Sequence, residues 1–275
     1  MPVSLEAYAM IIWGSRMYGQ KNVVKGVGAC PHCGKYGANR SYDGSKWGHL
    51  YFIPLVPMGG KVRVMHECAA CKMGSHMPQA SVQRMVGEIE TLMGLCVESA
   101  TAGTREFADP KQGQPVANDG FLLEAADLLY HSGHGNELPG LIELLNTDAS
   151  RYEHGITLGV VAELKGDDNG AVIAYRSAVK ADPDQPQAFL LLSDVLMRRG
   201  DAEGSLQMIE RAEQLVPENA QLLMAKTRPL EVLGRYEELV DALDRAIQIA
   251  PALGHDKGVA KMRKKFGKKA AKQAR

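Results

Sequence analysis

Four of the five cysteines stand in two C-x-x-C pairs, a spacing that is typical of a metal site. Cys30 and Cys33 lie in ACPHCGK, and Cys68 and Cys71 lie in HECAACK, with 34 residues between the two pairs. Zn²⁺ prefers four ligands in a tetrahedron, which two tight turns with two thiolates each can supply. The pairs therefore predict one structural zinc site. A closed shell of four thiolates leaves no position for water or substrate, so no catalysis is predicted there.

The first pair also permits a second interpretation, a cytosolic thiol-disulfide oxidoreductase that uses Cys30. A reactive C-x-x-C lowers its thiol pKa at the N-terminus of a helix. The residues after Cys33, GKYGANRSYDGSKWG, contain four glycines and no apolar periodicity, so no activating helix is expected and the redox enzyme is only the alternative. Because the cysteines complete the zinc shell, nearby histidines are not expected to be ligands. Surface or hydrogen-bonded positions are predicted for His32, His49, His66 and His76.

Residues 1–77 contain both cysteine pairs and are rich in glycine, aromatic and β-branched residues, which predicts short strands and turns. Pro54 and Pro57 interrupt an apolar run there and favour bent edge strands over a central strand. Four motifs occur in order: IIWG at residues 11–14, CPHCG, the segment WGHLYFIPLVP and a final CAAC. In this order they resemble a bacterial zinc-ribbon family. The resemblance implies a zinc-binding β-domain and brings no assigned reaction with it.

Beyond Pro78 the apolar residues follow helical spacing, and residues 78–108 are interpreted as a connecting helix of about five turns. The apolar stripe consists of Val82, Met85, Val86, Ile89, Leu92, Met93 and Cys96. A cysteine on such a stripe is predicted to be buried and unreactive. Residues 109–120, DPKQGQPVANDG, combine prolines, glycines and polar residues, and they predict a linker.

Self-comparison of residues 121–253 reveals a period of 34. Three residue types recur at this interval: Pro183, Pro217 and Pro251; Gly166, Gly200 and Gly234; Ala178, Ala212 and Ala246. A helix-turn-helix unit of 34 residues with this punctuation resembles the tetratricopeptide repeat. Repeats are predicted at 152–185, 186–219 and 220–253, after a degenerate first repeat. Pro229 falls inside a helix, where proline costs about 3 kcal/mol, so a bent or shortened helix is predicted.

The resemblance to tetratricopeptide repeats implies a groove that binds a protein segment and is lined by side chains of the first helix of each repeat. The residues of this candidate groove are Glu153, Ile156, Val160, Glu163, Gln187, Leu190, Asp194, Met197, Gln221, Met224 and Glu231. Chaperone-binding members capture a C-terminal carboxylate with an Asn/Lys/Arg clamp, and Ile156 with Val160 argues against that mode. A mixed apolar and acidic groove suits a basic, amphipathic segment, including the chain's own tail.

Formal charge is zero overall but strongly segregated. Residues 1–117 carry 12 Lys/Arg and 8 Asp/Glu, residues 118–256 carry 11 and 24, and residues 257–275 carry 9 and 0. The basic tail has three interpretations: a capping helix or frayed end, a self-contact with the acidic repeats, or an arm for nucleic acid or an acidic partner. Its single aromatic residue, Phe266, offers little base stacking. The candidate arm consists of Lys261, Arg263, Lys264, Lys265, Lys268 and Lys269.

The predicted fold is α+β and multidomain: a small zinc ribbon at 1–77, a connecting helix at 78–108, a linker at 109–120, an all-α repeat solenoid at 121–253 and a basic tail at 254–275. No phosphate-binding loop, dinucleotide fingerprint or nucleophile elbow occurs. The apolar run at residues 8–13 is too short for a membrane span. The chain is predicted to be a cytoplasmic, non-enzymatic scaffold that binds a protein partner, with a nucleic-acid-associated role as an alternative.

Overall fold

The computed structural model describes residues 13–50 and 53–273. Parts of two predicted features, the motif at 11–14 and the apolar run at 50–56, and nearly all of a third, the run at 8–13, lie outside these residues. The fold is α+β, as predicted: a four-stranded antiparallel sheet is followed by helices. Within the described stretches, no helix is long and apolar enough to cross a bilayer.

The sheet has the strand order β1-β2-β3-β4. Its strands are β1 (Trp13–Ala29), β2 (Tyr36–Leu50), β3 (Ile53–Cys68) and β4 (Ser75–Pro78). The first three are much longer than the short strands predicted from composition. The pairing of β1 with β2 and of β2 with β3 contains several register shifts, and such bulges let a long strand accommodate residues that fit poorly into a regular ladder. Asn22 lies at one of these shifts with a φ of +48°.

The two prolines of β3 lie where that strand has one described neighbour. Pro54 is paired with His49 and Pro57 with Trp47, both on β2. The pairing of β3 with β4 begins only at Val62. Proline has no backbone N–H to donate to a second ladder, so this half of the strand has the edge character that the sequence predicts.

Two segments that follow the sheet differ in detail from their predictions. Helix α1 (Gln79–Thr101) has 23 residues, and Cys96 on it is fully buried, as expected. Residues 109–120, predicted as a linker, include strand β6 (Pro115–Ala117), which pairs with β5 (Glu106–Ala108). Gly113, at a φ of +65°, donates its N–H to the Asp109 carbonyl in the connecting turn. Glycine and proline punctuate hairpin turns as well as linkers, so composition did not separate the two.

The helices that follow form consecutive pairs whose boundaries agree with the period of 34. The pairs are α2 (Asn118–Ser132) with α3 (Leu138–Leu144), α4 (Arg151–Leu164) with α5 (Asp168–Ala181), α6 (Pro186–Arg198) with α7 (Ala202–Leu215), and α8 (Ala220–Leu233) with α9 (Tyr236–Ile249). Gly166, Gly200 and Gly234 all have positive φ values, of 78°, 83° and 71°. Each follows a first helix, where a left-handed residue satisfies the terminal carbonyls. This requirement explains why glycine recurs at that phase.

Helix α8 contains Pro229 and still runs for 14 residues, the same length as α5, α7 and α9. It is therefore not shortened. After α9, the chain forms a short 3-10 turn (Pro251–His255) and helix α10 (Lys257–Gln273).

The described residues pack as two compact units. One contains the residues up to Leu95 together with Glu124–Leu141 and Leu164–Gly166, and the other contains the remainder. The first unit therefore combines the sheet with most of α2, a grouping that the predicted boundary at residue 77 did not anticipate. Sequence composition changes at residue 77, but Ser41 of β2 and Arg63 of β3 both form buried hydrogen bonds with His131 of α2.

Candidate functional site

The four predicted zinc ligands occupy two equivalent turns. Cys30 and Cys33 lie between β1 and β2, and Cys68 and Cys71 lie between β3 and β4. In the first turn the Gly34 N–H donates to the Cys30 carbonyl at 2.8 Å. In the second the Lys72 N–H donates to the Cys68 carbonyl at 2.9 Å. The two antiparallel hairpins thus present two thiols each to one point.

Lys72 stands where zinc knuckles commonly have glycine. Its φ is +60°, close to the +67° of Gly34 at the matching position of the first turn. A residue other than glycine in this left-handed region costs on the order of 1 kcal/mol, which the turn's hydrogen bonds offset. The substitution therefore leaves the turn geometry intact.

The sulfur atoms are spaced as a metal tetrahedron requires. The Sγ atoms of Cys30 and Cys71 are 3.7 Å apart, and those of Cys33 and Cys68 are 3.9 Å apart. All four lie within 4.8 Å of one another. With Zn–S bonds of about 2.3 Å, the edge of a tetrahedron measures about 3.8 Å. The donor set and its spacing fit a single metal ion such as zinc.

Backbone amides favour the thiolate form of two of these cysteines. The N–H groups of Cys71 and Ala70 lower the pKa of Cys68 to about 6, and the N–H of Cys33 lowers the pKa of Cys30. The Met73 N–H lowers the pKa of Cys71, but burial and the three neighbouring thiols outweigh it and raise that pKa to about 11. A cation at the centre would relieve the repulsion that holds the last thiols protonated.

The elements that a redox dithiol would need are not found around Cys30. Cys33 is followed by a turn, and strand β2 begins at Tyr36 with no intervening helix. Burial raises the pKa of the fifth cysteine, Cys96, to about 12, which agrees with the predicted inert role.

The histidines near the cysteine pairs differ in their exposure. His32 and His76 are exposed, and the side chain of His49 lies outside the described part. His66 lies beside Asp127 and His131 of α2.

Two residues of the candidate groove are inaccessible. Glu153 and Ile156 on α4 are fully buried. The Glu153 carboxylate accepts both a bidentate contact from Arg105, at 3.0 Å for each oxygen, and a hydrogen bond from Asn118 at 3.1 Å. Arg105 lies directly before β5 and Asn118 is the first residue of α2, so both partners lie before the predicted 34-residue repeats, whose pattern could not reveal them. Assigning Glu153 and Ile156 to a partner-binding surface was therefore wrong.

Other groove residues remain accessible, mainly on α6. Gln187, Leu190 and Met197 are half-buried and Asp194 is exposed. The carboxyl of Asp194 is nevertheless desolvated enough by its surroundings that its pKa is raised. The remaining groove positions are divided between α4 and α8: Val160 and Glu163 are half-buried, Gln221 is exposed, Met224 is half-buried and Glu231 is exposed. A mixed apolar and polar row thus continues from α6 to the start of α8.

Part of the predicted acidity is already neutralised inside the repeats. Glu163 accepts hydrogen bonds from the Tyr175 hydroxyl and from Arg198. Glu231 forms an ion pair at 3.1 Å with Lys265 of the tail. The groove is accordingly less acidic than its residue types indicate, and Asp194 is its main accessible carboxylate among the described residues.

The basic tail is a helix packed on the last repeat. Phe266 of α10 is 1% exposed and stacks on Tyr236 with ring centroids 5.6 Å apart. Val259 is also buried. Arg263 pairs with Asp244, and the ammonium of Lys269 lies 4.6 Å from the centre of the Tyr236 ring. The other residues of the candidate arm are exposed: Lys261, Lys264 and Lys268.

Comparison with known proteins agrees with the repeat pattern. A family model described as a tetratricopeptide repeat matches residues 166–220 and 190–253. Residues 166–253 contain tetratricopeptide repeats. The comparison with curated proteins found no match.

The similar solved structures include tetratricopeptide domains and MamA. The Arabidopsis OM64 TPR domain is 18% identical, with 44% of this chain and 98% of that chain covered and a TM-score of 0.40. The TPR2B domain of yeast Sti1, in a complex with pHsp70, is 17% identical over 45% and 98%, with a TM-score of 0.38. A MamA protein is 15% identical over 64% and 91%, with a TM-score of 0.39.

Proposed function

We propose that this chain is a non-enzymatic scaffold whose tetratricopeptide repeats bind a segment of another protein and whose sheet is held by one structural zinc ion. The observation that carries the binding role is the accessible row on α6, in which Leu190 and Met197 alternate with Gln187 and Asp194. Apolar anchors beside polar groups are the usual composition of a peptide-binding surface. The cysteine content suits a reducing compartment, and a cytoplasmic location is part of the proposal.

Zinc is the metal proposed for the cysteine centre because four thiolates in a tetrahedron suit it, and because the shell is closed. Its role is to hold the two hairpin turns together, since no position remains for a substrate. Mass-spectrometric metal analysis of the purified full-length protein tests this assignment. The Cys30→Ser/Cys68→Ser variant should hold one equivalent of zinc fewer than the wild type. An unchanged zinc content in the double variant would exclude the centre.

The partner proposed for the groove is a basic, amphipathic protein segment, because Asp194 is accessible beside apolar side chains. Capture of a C-terminal carboxylate is not proposed, since Ile156 is buried and Val160 is apolar. The chain's own tail covers only one end, through Lys265 at Glu231 and the packing of Met224 on the cluster that contains Phe266. The rest of the row is left for a partner.

Photo-crosslinking of the full-length protein tests the groove. A photoreactive residue at Leu190 should trap a discrete partner from the native cell extract, and the Asp194→Arg exchange in the same protein should abolish the product. Ile173, an apolar residue of α5 that is 72% exposed, provides the matched control position. Equal products at Leu190 and Ile173, or none at Leu190, would count against this surface as the binding site.

The nucleic-acid alternative receives no support from the tail. Phe266, its only aromatic side chain, is buried and stacked on Tyr236, so it cannot stack on a base. Arg263 and Lys265 already have acidic partners. The capping role of α10 accounts for its apolar contacts.

A further inference from the structure

A second group of potential metal ligands lies apart from the cysteines. His66, near the end of β3, and Asp127 and His131, one turn apart on α2, bring one donor atom each within 4.8 Å of one another. The Nε2 of His66 is 3.2 Å from Asp127 Oδ2, and the Nε2 of His131 is 3.8 Å from Asp127 Oδ1. In a tetrahedral zinc site with bonds near 2.0–2.1 Å, donor atoms are about 3.4 Å apart. All three residues belong to the compact unit that contains the sheet.

The strongest sign of a ligand is an unpaired atom on His131. This residue is fully buried, and its Nε2 has no hydrogen-bond partner. Leaving a buried polar atom unsatisfied costs about 1–3 kcal/mol, and folded proteins rarely tolerate it without a reason. Nε2 of His131 is 3.8 Å from Asp127 Oδ1, and the centroid of the His66 ring is 4.0 Å from that of His131. An ion would bind between these three side chains. An ion there would satisfy the unpaired nitrogen.

Ser41 holds the opposite side of the same imidazole. Its Oγ lies 2.9 Å from His131 Nδ1 and accepts the His66 backbone N–H at 3.0 Å. We assign the proton of His131 to Nδ1, which donates to Ser41 and leaves the lone pair on Nε2. In metal-binding histidines the nitrogen that does not bind the metal characteristically donates a hydrogen bond to a nearby group. That hydrogen bond fixes the tautomer and the orientation of the ring. One buried hydroxyl thus contacts the imidazole of His131 and the backbone of His66.

The surroundings keep His131 in place. Arg63, itself buried, donates from Nε to the His131 carbonyl at 2.9 Å and pairs with Asp43 at 3.1 Å. A Cβ on Gly26 would lie 2.9 Å from His131 Cε1, so the backbone of β1 closes against the ring. These contacts fix the position of the ring within the unit that contains the sheet.

We propose that His66, Asp127 and His131 form a second metal site, which binds a divalent transition-metal ion such as Zn²⁺ and joins β3 to α2. Two imidazoles and a carboxylate are borderline donors that suit zinc. Unlike the cysteine centre, this site has three protein ligands and an open coordination position. The side chains of His66 and Asp127 are 29% and 43% exposed, which provides a route for the ion and for a bound water.

The test is a Zn²⁺ titration of the full-length protein that already holds one equivalent, followed by removal of free metal and metal analysis. Wild-type protein should take up a second equivalent, and His131→Ala should not. His76→Ala is the matched control, because His76 is an exposed histidine of the same sheet, and it should bind as the wild type does. Saturation of the wild type at one equivalent, or uptake of the second by His131→Ala, overturns the proposal.

Two further variants keep the test valid if His131→Ala disturbs the fold. Asp127→Asn changes a half-exposed side chain and should also abolish the second equivalent while the first is retained. Ser41→Ala leaves all three ligands in place and should weaken Zn²⁺ binding at the second site by about 10–100-fold, because the tautomer of His131 is no longer fixed.

Nitrogen NMR of the imidazoles provides a direct readout of the ligands. The Nε2 signals of His66 and His131 should shift on addition of Zn²⁺. Unchanged imidazole signals in the wild type would show that the ion binds elsewhere. Loss of the first equivalent in Cys30→Ser/Cys68→Ser tests the cysteine centre separately.

Discussion

The sheet and the helical repeats bury different kinds of side chain. Among the side chains that the structure describes around β2 and β3, few apolar ones are buried, and Ser41 and Arg63 are completely buried beside them. In the repeats most buried side chains are apolar or small and many recur at the interval of 34, as with Ile209 and Leu243, and the buried carboxylate of Glu153 is an exception. Each repeat packs its apolar face on its neighbour, so the array supplies its own core.

This difference indicates where each region obtains its stability. A small sheet buries too little apolar surface to be stable alone, and buried polar groups add stability only when all are paired. The proposed zinc ion would supply what the apolar core lacks, because structural zinc contributes a folding free energy on the order of 10 kcal/mol. The repeats need no such addition. Their stability should instead respond to changes in packing and in buried charges.

Metal removal is the largest perturbation of this contrast. A strong chelator should unfold the sheet at residues 13–78, since its metal contribution is on the order of 10 kcal/mol, while residues 186–249 stay folded. Hydrogen exchange measured segment by segment by mass spectrometry distinguishes the two regions. Cys30→Ser/Cys68→Ser should show the unprotected sheet without chelator. Loss of protection in both regions to the same extent would mean that the repeats also depend on the metal.

The second prediction concerns a buried charge in the helical unit. Glu153 is fully buried, and the guanidinium of Arg105 is its partner. Arg105→Ala should lower the free energy of unfolding by about 3–5 kcal/mol, because an unpaired buried carboxylate remains. Denaturant unfolding measures the change. Adding Glu153→Gln to Arg105→Ala should recover part of it, since the charge is gone.

A surface pair provides the control for this prediction. Arg151 pairs with Asp148, and the two side chains are 60% and 95% exposed. Arg151→Ala should change the free energy of unfolding by less than about 1 kcal/mol. If Arg105→Ala were no more costly than Arg151→Ala, the ion pair with Glu153 would not be a buried determinant of stability.

The repeats were predictable from sequence because their structural requirements recur. Gly166, Gly200 and Gly234 each terminate a first helix in a left-handed conformation, so one local requirement appears three times. The cysteine centre was predictable for a related reason, since each C-x-x-C is itself a local turn. Position 72 shows the limit, because φ at Lys72 is set by the turn and not by residue type.

The site at His66 was not predictable from spacing alone. The other two proposed ligands, Asp127 and His131, lie more than 60 positions further along the chain on a different type of element. The available signal was weak: a carboxylate and a histidine four residues apart share one face of a helix. Such a pair becomes informative only when the fold brings a third donor to it. Glu153 failed as a groove residue for the same reason, because Arg105 reaches it from outside the repeat.

The third prediction tests how tightly the repeats are packed. A Cβ on Gly159 of α4 would lie 2.2 Å from the ring of Tyr175, which is fully buried. Gly159→Ala should destabilise the protein by about 1–3 kcal/mol, because neither helix can move away without opening the core. Thermal or denaturant unfolding measures the loss. Gly140 of α3 has no atom within 4 Å of an added Cβ, and Gly140→Ala should be neutral or stabilising by up to about 1 kcal/mol.

The smallest expected effect belongs to the charged contacts of the tail. Helix α10 carries eight Lys/Arg residues, yet Phe266 and Val259 provide its buried contacts. Lys265 and Glu231 are 54% and 44% exposed, so Lys265→Ala should cost about 0–1 kcal/mol and less at high salt. Lys264→Ala, an exposed neighbour on the same helix, is the control. Unfolding at low and high salt decides the question. A loss well above 1 kcal/mol for Lys265→Ala that disappears at high salt would show that charge, and not apolar packing, attaches α10 to the last repeat. The tail would then depend on polar contacts, as the sheet does, and not on an apolar core, as the repeats do.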